Sequence, residues 1–184
     1  KEIELKDAGQ VMMIPYHVWA NRGPAEMIVW MPTTPEVSHP TPAPTIAFRS
    51  RVSGSHPTSH LGCIKDQMPV QHSNDHSIPY YHWWPRKNQE EWLQYTFEGP
   101  ETVSRTRVYW FDDRPNGGCR IPDSWEIFYE SEGNWVPVNT EDTYTVTRDD
   151  WDEIAFEPVT TRAMKLVVRL NEEYSSGIYE WEVW

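Results

Sequence analysis

Cysteine is scarce in this 184-residue chain, which contains only Cys63 and Cys119. Neither lies in a CxxC pattern or another metal-ligand spacing, which argues against a structural zinc site. The histidines add no such pattern, because Pro57 would break any helix that could bring His56 and His60 together. The two thiols could form one disulfide in an oxidising compartment or stay free in the core, and the sequence leaves both open.

Basic residues are also few, with 16 Lys and Arg against 28 Asp and Glu and a net charge of −12. Nucleic acid is therefore a poor partner, because its binding depends on Lys and Arg that release counterions from phosphates. No apolar run approaches the roughly 18 residues of a membrane-spanning helix, so no membrane partner is expected. The chain starts with neither an initiator Met nor a signal peptide, and we expect a processed protein or a fragment.

Aromatic residues, in contrast, are abundant: 11 Trp and 9 Tyr raise the aromatic share to 14%. A core of this size needs fewer, and we expect Trp110, Trp125 and Trp135 to fill it. Trp and Tyr in excess suit stacked ligands and interfaces, because a flat ring offers a large contact area at little cost in rotamer entropy. The composition therefore indicates a globular protein with binding surfaces.

The first segment of the chain predicts a β-hairpin followed by a linker. Val11–Pro15 and Met27–Met31 are apolar runs on either side of a turn-rich segment, and a hairpin of this size must pack on chain outside residues 1–31. Residues 32–44 are rich in proline, which fixes φ and removes backbone donors, so they predict an extended linker. A second domain then covers residues 45–184.

This second domain predicts an all-β structure, since no helical period is sustained and apolar residues alternate with polar ones. The predicted strands are Thr45–Arg51, Trp92–Phe97, Thr102–Phe111, Trp125–Tyr129, Trp135–Val138, Ile154–Pro158, Met164–Leu170 and Ile178–Trp184. A long polar connection, Ser53–Asn88, has a length that is often functional. Short strands with turn signals between them predict an antiparallel β-sandwich or jelly roll.

Several segments of this domain, taken in order, resemble the discoidin-like, or coagulation factor 5/8 C-type, domain. They are Trp92-Leu-Gln-Tyr-Thr-Phe97, Val108-Tyr-Trp110, Arg120-Ile-Pro-Asp-Ser-Trp-Glu-Ile-Phe-Tyr129, Asn134-Trp-Val-Pro-Val138 and Gly177-Ile-Tyr-Glu-Trp-Glu-Val183. The resemblance covers roughly residues 45–184. It implies a galactose-binding-like jelly roll of about eight strands, a fold that recurs in bacterial carbohydrate-binding modules.

A second resemblance lies before the linker. Ile14-Pro-Tyr-His-Val-Trp-Ala-Asn-Arg-Gly-Pro-Ala-Glu-Met-Ile-Val-Trp-Met31 looks like the end of the β-sandwich that follows the helical barrel in bacterial β-L-arabinofuranosidase-type glycoside hydrolases. Some of these enzymes also carry a discoidin-like C-terminal domain, so both resemblances imply one parent, secreted, periplasmic or at the cell surface. In that family the catalytic carboxylates and metal-ligand cysteines lie in the barrel, which is outside this chain. Residues 1–31 are then the terminal strands of the preceding sandwich.

The discoidin-like resemblance also implies where a sugar would bind. Sugar-binding members place their contact residues on loops at one end of the jelly roll, and the matching loops here are Tyr80–Asn88, Asp112–Arg120 and Asn171–Ser176. An aromatic plate can cover the C–H face of a sugar while charged or amide groups bond its hydroxyls. The candidate residues are His82, Trp83, Trp84, Asp112, Asp113, Arg114, Asn116, Arg120 and Tyr174. Because neighbours in an extended chain diverge, one of the two adjacent tryptophans should pack inward.

The same resemblance implies a structural cation near the strand ends. Ca²⁺ takes six to eight oxygen ligands, often from carboxylates and carbonyls of irregular loops. Asp66 lies where the family often has an Asp-Gly turn, although Gln67 replaces the Gly. Asn74, Asp75 and Glu180 could add oxygens. In the alternative, Glu180 only accepts hydrogen bonds from loop amides.

Catalysis on this chain is not expected. A glycosidase needs two carboxylates that flank one bond, and the adjacent pairs Asp112-Asp113 and Asp149-Asp150 would point to opposite faces of a strand. Our first hypothesis is a non-catalytic carbohydrate-binding module of a plant-polysaccharide-degrading glycosidase. Its partners would be an arabinose- or galactose-containing cell-wall saccharide and the catalytic part of its own parent enzyme. The alternatives are a structural domain that packs on the catalytic part without binding sugar, and a domain that contributes to the rim of the active site in the intact enzyme.

Overall fold

A computed structural model describes the backbone of residues 12–16 and 25–29, and both backbone and side chains of residues 43–57 and 60–184. The chain divides into two compact units, Lys1–Thr41 and Pro42–Trp184. Most of the predicted linker, residues 32–42, lies outside the described residues. Within the described ranges, no helix has the length and apolar composition that crossing a bilayer would need.

The first unit contains the predicted hairpin. Strand β1, Met12–Tyr16, pairs antiparallel with β2, Ala25–Val29, and the register joins Met12 to Val29 and Tyr16 to Ala25. The two apolar runs therefore form strands, as their composition predicts.

The second unit is built almost wholly from antiparallel strands. Its elements are α1 (Ile46–Arg49), β3 (Arg51–Gly54), a short 3₁₀ helix (Leu61–Lys65), β4 (Tyr81–His82), β5 (Glu90–Phe111), β6 (Ser124–Ser131), β7 (Asn134–Pro137), β8 (Trp151–Arg169) and β9 (Gly177–Val183). The all-β prediction is confirmed. The strand predicted over Thr45–Arg51 is wrong, because the Thr45 hydroxyl accepts from the Phe48 N–H at 3.2 Å and caps the one-turn helix α1.

Two long strands, β5 and β8, pair with each other from Glu90↔Arg169 to Tyr109↔Trp151 and take part in both layers of a sandwich. Layer 1 has the order β3-β5-β8-β6-β7 and uses the first half of β5; layer 2 has the order β8-β5-β9-β4 and uses the second half. The strands predicted separately over Trp92–Phe97 and Thr102–Phe111 are the two halves of β5. Pro100, which has no N–H, falls in the stretch where β5 has no partner on β8.

Aromatic side chains fill the space between the layers. Tyr95 of layer 1 stacks on Trp181 of layer 2 with ring centroids 4.2 Å apart, and Trp110 meets Trp125 edge to face at 6.0 Å. These rings are buried, so the prediction for Trp110 and Trp125 is confirmed. The prediction for Trp135 is wrong. Its ring lies half-buried on the edge strand β7, where the Lys165 ammonium sits 3.9 Å from the ring centroid.

The two cysteines are both buried and free, which settles the alternative that the sequence left open. Cys63 packs in the main core, and Cys119 packs in a smaller cluster with Tyr109, Phe111 and Tyr179. Burial raises the pKa of each thiol to about 12. Both therefore act as small apolar side chains.

Candidate functional site

Three loops leave the sandwich at the same end, which we call the loop end: residues 83–89, 112–123 and 170–176. The strand pairing places the three loops at one end. In layer 1, the strand ends Glu90, Ser124 and Arg169 lie side by side. In layer 2, the strand ends His82, Phe111 and Gly177 do the same. Backbone hydrogen bonds of 2.8–3.0 Å join Trp83 to Ser176, Asn88 to Asn171, and Gly118 and Arg120 to Ser175. The three loops therefore form one connected surface.

The two adjacent tryptophans of the first loop have opposite positions. Trp83 is fully buried and meets Tyr81 edge to face, with ring centroids 5.1 Å apart, so it offers no face to a ligand. Trp84 is 50% exposed. Its ring lies against Gly118, where an added Cβ would come within 2.4 Å of Trp84 Cζ3. A glycine at this position thus lets backbone support one side of an exposed indole.

The second loop carries an ordered set of charges. Asp112 is buried and binds the Arg114 guanidinium, with Arg114 Nε 2.8 Å from Oδ1. Burial opposes its ionisation, but hydrogen bonds from the Arg114 side chain and from the N–H groups of Ile121 and Arg114 outweigh it and lower its pKa. Asp113 accepts from Cys119 N at 2.8 Å and from Arg120 Nη1 at 3.1 Å. Each carboxylate is thus committed to its own arginine.

The third loop brings an aromatic ring beneath one of these arginines. The guanidinium of Arg120 lies 4.2 Å from the ring centroid of Tyr174. Arg120 is therefore held between a carboxylate and a ring, which fixes its direction at the loop end. Of the other candidates, Asn116 is exposed in the second loop. His82 is half-buried, its Nδ1 has no partner among the described residues, and burial followed by the charges of His56 and His60 lowers its pKa.

The candidate metal ligands fall into two places. Asp66 lies beside Glu180, whereas the described contacts of Asn74 and Asp75 are elsewhere: Asn74 approaches the Arg114 carbonyl and Asp75 accepts from Ser77 N at 2.9 Å. The predicted set of four is therefore not brought together. Gln67 has φ +59°, a left-handed conformation that suits glycine, in keeping with the Asp-Gly turn of the discoidin-like family.

Asp66, which is half-buried, and Glu180, which is buried, place two carboxyl groups side by side. Both Glu180 oxygens are buried, and neither has a hydrogen-bond partner of normal geometry in the described structure. Burial, then the Asp66 carboxyl, raise the pKa of Glu180 to about 10, while the Gln67 N–H acts in the opposite direction. No three His, Cys, Asp or Glu side chains converge on a metal position within residues 43–57 and 60–184. A cation here would need backbone carbonyls or water as further ligands.

Three residues near the loop end were not among the sequence candidates: Gly118, Arg148 and Asp149. Gly118 could have been found from the sequence, because Asn116-Gly117-Gly118 is a pattern typical of a turn. Arg148 and Asp149 precede β8, and only the pairing of β8 with β5 places them beside Asp112–Arg114.

A two-layer β-sandwich with such loops defines the class of galactose-binding-like modules. The profile of the NedA-like, galactose-binding domain family matches residues 72–166, just over half of the chain. The chain belongs to this family. The profile of the glycoside hydrolase family 127 C-terminal domain matches residues 1–32, so both resemblances found in the sequence are confirmed.

Solved structures with the same fold come from sugar-processing proteins. A chain of the Streptococcus pneumoniae β-galactosidase BgaA has a TM-score of 0.63 at 17% identity, over 73% of this chain and 91% of that one. Clostridium perfringens CpGH89CBM32-5, in complex with GalNAc-β-1,3-galactose, has a TM-score of 0.56 at 10% identity, over 76% and 98%. The family 32 module of C. perfringens NanJ, in complex with galactose, has a TM-score of 0.55 at 14% identity, over 76% and 96%. These likenesses confirm the jelly-roll fold.

Proposed function

We propose that this chain is a non-catalytic carbohydrate-binding region of a glycoside hydrolase. The observation that carries the proposal is the exposed ring of Trp84, backed by Gly118, on the same loop end as Arg120 and Tyr174. A flat ring can cover the C–H face of a sugar while a fixed guanidinium donates to its hydroxyls. The sugar complexes of two structural relatives support the proposal.

The absence of a catalytic role is supported by how the acids are used. Asp112 and Asp113 are bound by different arginines, and Asp112 has its oxygens saturated by four donor groups. A retaining or inverting glycosidase needs two carboxyls free to act on one bond. The adjacent aspartates are thus better suited to holding the loop than to hydrolysis.

The parent enzyme in this proposal is a secreted, periplasmic or cell-surface bacterial glycoside hydrolase of the β-L-arabinofuranosidase type. The match of residues 1–32 to the family 127 C-terminal domain supports it. The ligand would be an arabinose- or galactose-containing plant cell-wall saccharide. Binding would raise the effective concentration of substrate near the catalytic part.

Calorimetric titration of the 184-residue chain with arabinose- and galactose-containing oligosaccharides tests this function. We expect a Kd on the order of 1 mM for at least one of them. Trp84→Ala should weaken binding by about fivefold or more, because the stacked ring is lost. Trp135→Ala is the matched control: it removes a half-buried indole on β7, outside the three loops, and should leave binding unchanged.

No heat with any of these sugars at near-millimolar protein would contradict the proposal. The alternatives would then predict different results in the intact enzyme. A domain that only packs on the catalytic part would lose thermal stability with Trp84→Ala. A contribution to the active-site rim would lower kcat/KM on short substrates that cannot reach a separate binding site.

We further propose a structural Ca²⁺ held by the carboxylates of Asp66 and Glu180. Two buried oxygens of Glu180 without a hydrogen bond of normal geometry, beside the Asp66 carboxyl, support it, because two such neighbouring groups can both ionise only with a counter-charge. The cation would neutralise this pair and tie the 3₁₀ helix to β9. Asn74 and Asp75 are left out of this ligand set.

A further inference from the structure

A cavity of about 410 Å³ opens beside the second loop and is separate from the Trp84 ring. Its lining comes from three parts of the chain: Asn74, then Asp112, Arg114 and Pro115, then Arg148 and Asp149. The volume is that of a small-ligand site. Two of the 16 basic residues of this acidic chain meet here.

The cavity wall is held in place by a reciprocal pair of hydrogen bonds. Ser73 N donates to Asp149 Oδ1 and Asp149 N donates to the Ser73 hydroxyl, both at 2.8 Å. Asp112 N also donates to the Ser73 carbonyl at 2.7 Å. Ser73 is buried, so it joins the segments on either side of the cavity. The cavity is therefore a built feature of the loop end.

The carboxylates of the cavity already have partners, while several guanidinium donors do not. Asp112 binds Nε and Nη2 of Arg114, and Asp149 accepts from Ser73 N and from Arg148 Nε at 3.0 Å. Nη1 of Arg114 and both Nη atoms of Arg148 have no hydrogen-bond partner within residues 43–57 and 60–184. Two Nη groups on one guanidinium match the two oxygens of a carboxylate.

The remaining polar group of the lining is the side-chain amide of Asn74, which is exposed and reaches the Arg114 carbonyl only at 3.5 Å. An amide offers both a donor and an acceptor, as a sugar hydroxyl requires. A ligand that satisfies the whole cavity thus carries a carboxylate for Arg148 and Arg114 and a hydroxyl for Asn74.

We propose that this cavity binds the acidic sugar of a uronate-containing saccharide, with Arg148 as the main carboxylate contact. The proposal rests on the proposed function, because it makes the anion part of a carbohydrate. The two arginines are balanced by two aspartates, so attraction is local and short-ranged. Affinity should therefore be weak and should fall as salt is added.

Titration of the 184-residue chain with a galacturonate trisaccharide and with its methyl ester, which is neutral and similar in shape, tests the proposal. We expect the acid to bind about tenfold more tightly than the ester. Arg148→Gln should remove this preference. Arg49→Gln is the matched control, since it removes the same charge from another exposed ion pair, with Glu101 at 3.6 Å, and should leave the preference intact.

Equal affinity for acid and ester, unchanged by Arg148→Gln, would overturn the inference and leave the proposed function standing. The same holds if neutral arabinose or galactose oligosaccharides bind and neither trisaccharide does. Failure of every saccharide would remove both proposals. Sodium sulfate is a third probe: Arg148-dependent sulfate binding without trisaccharide binding would make the cavity a simple anion site and would overturn the saccharide assignment.

Discussion

Two buried carboxylates, one at the loop end and one beneath the 3₁₀ helix, have opposite environments. Asp112 accepts from the Arg114 guanidinium and from Ile121 N at 3.0 Å, and its pKa is lowered in spite of burial. Neither Glu180 oxygen has a hydrogen-bond partner of normal geometry within the described structure, and burial followed by the Asp66 carboxyl raises its pKa to about 10. Burial costs a carboxylate little when donors surround it and much when they do not. The Asp112 carboxylate is thus satisfied by donors of its own loop, whereas Glu180 lies where we propose a bound cation.

The largest effect is expected from removing the satisfied carboxylate. Asp112→Ala should lower the free energy of unfolding by about 3 kcal/mol, because it leaves the N–H groups of Ile121 and Arg114 without acceptors inside the loop. Urea denaturation would measure it. Glu172→Ala, at an exposed position in the third loop of the same end, is the control and should stay within about 0.5 kcal/mol of the parent protein. Equal losses in the two variants would break the contrast.

The lowered pKa of Asp112 also makes its contribution to the free energy of unfolding depend on pH. Its carboxylate contributes stability above the ordinary Asp pKa, and this contribution is lost as the pH falls through the lower folded-state pKa. The unfolding free energy of Asp112→Ala should therefore decline less steeply in acid than that of the parent protein.

The next effect concerns the unsatisfied carboxylate. Ca²⁺ at about 100 times its Kd should stabilise the protein by about 2.7 kcal/mol, which corresponds to a rise in Tm of roughly 5–10 °C. Glu180→Gln should abolish this rise. Asn74→Ala and Asp75→Ala should retain it, because their described contacts lie elsewhere. A Tm that ignores Ca²⁺ would argue that Asp66 and Glu180 share a proton instead, and loss of the rise in Asn74→Ala would restore the larger ligand set.

Sequence patterns predicted the features that depend on neighbours along the chain. Apolar and polar residues alternate through Met164–Leu170, and this pattern predicted which residues at the end of β8 are buried. The divergence of adjacent side chains predicted that one of Trp83 and Trp84 is buried. The family resemblance aligned Asp66-Gln67 with an Asp-Gly turn and marked Gln67 as a departure from it, yet Gln67 has the positive φ that a glycine at this position would favour.

Features that depend on distant pairing could not be predicted in this way. The cavity joins Asn74, Arg114 and Arg148 only because β8 pairs with β5 and because Ser73 bridges the segments. The helix α1 was missed because a single capped turn shows no helical period.

The smallest effect on stability, with a clear effect on binding, is expected at Gly118. Gly118→Ala would place a Cβ 2.4 Å from Trp84 Cζ3, so the ring must move. Because Trp84 is half-exposed, it can turn toward solvent, and the loss of unfolding free energy should stay below about 1 kcal/mol. The indole would then lose its fixed position, and neutral-sugar affinity should fall nearly as far as in Trp84→Ala.

Gly99→Ala, where a Cβ would meet nothing within 4 Å, controls for the loss of glycine's backbone freedom. Unchanged sugar binding in Gly118→Ala would mean that the ring does not act from this position. A loss of stability as large as that of Asp112→Ala would instead show that the Trp84–Gly118 contact is as much a part of the loop end's own structure as its buried ion pair.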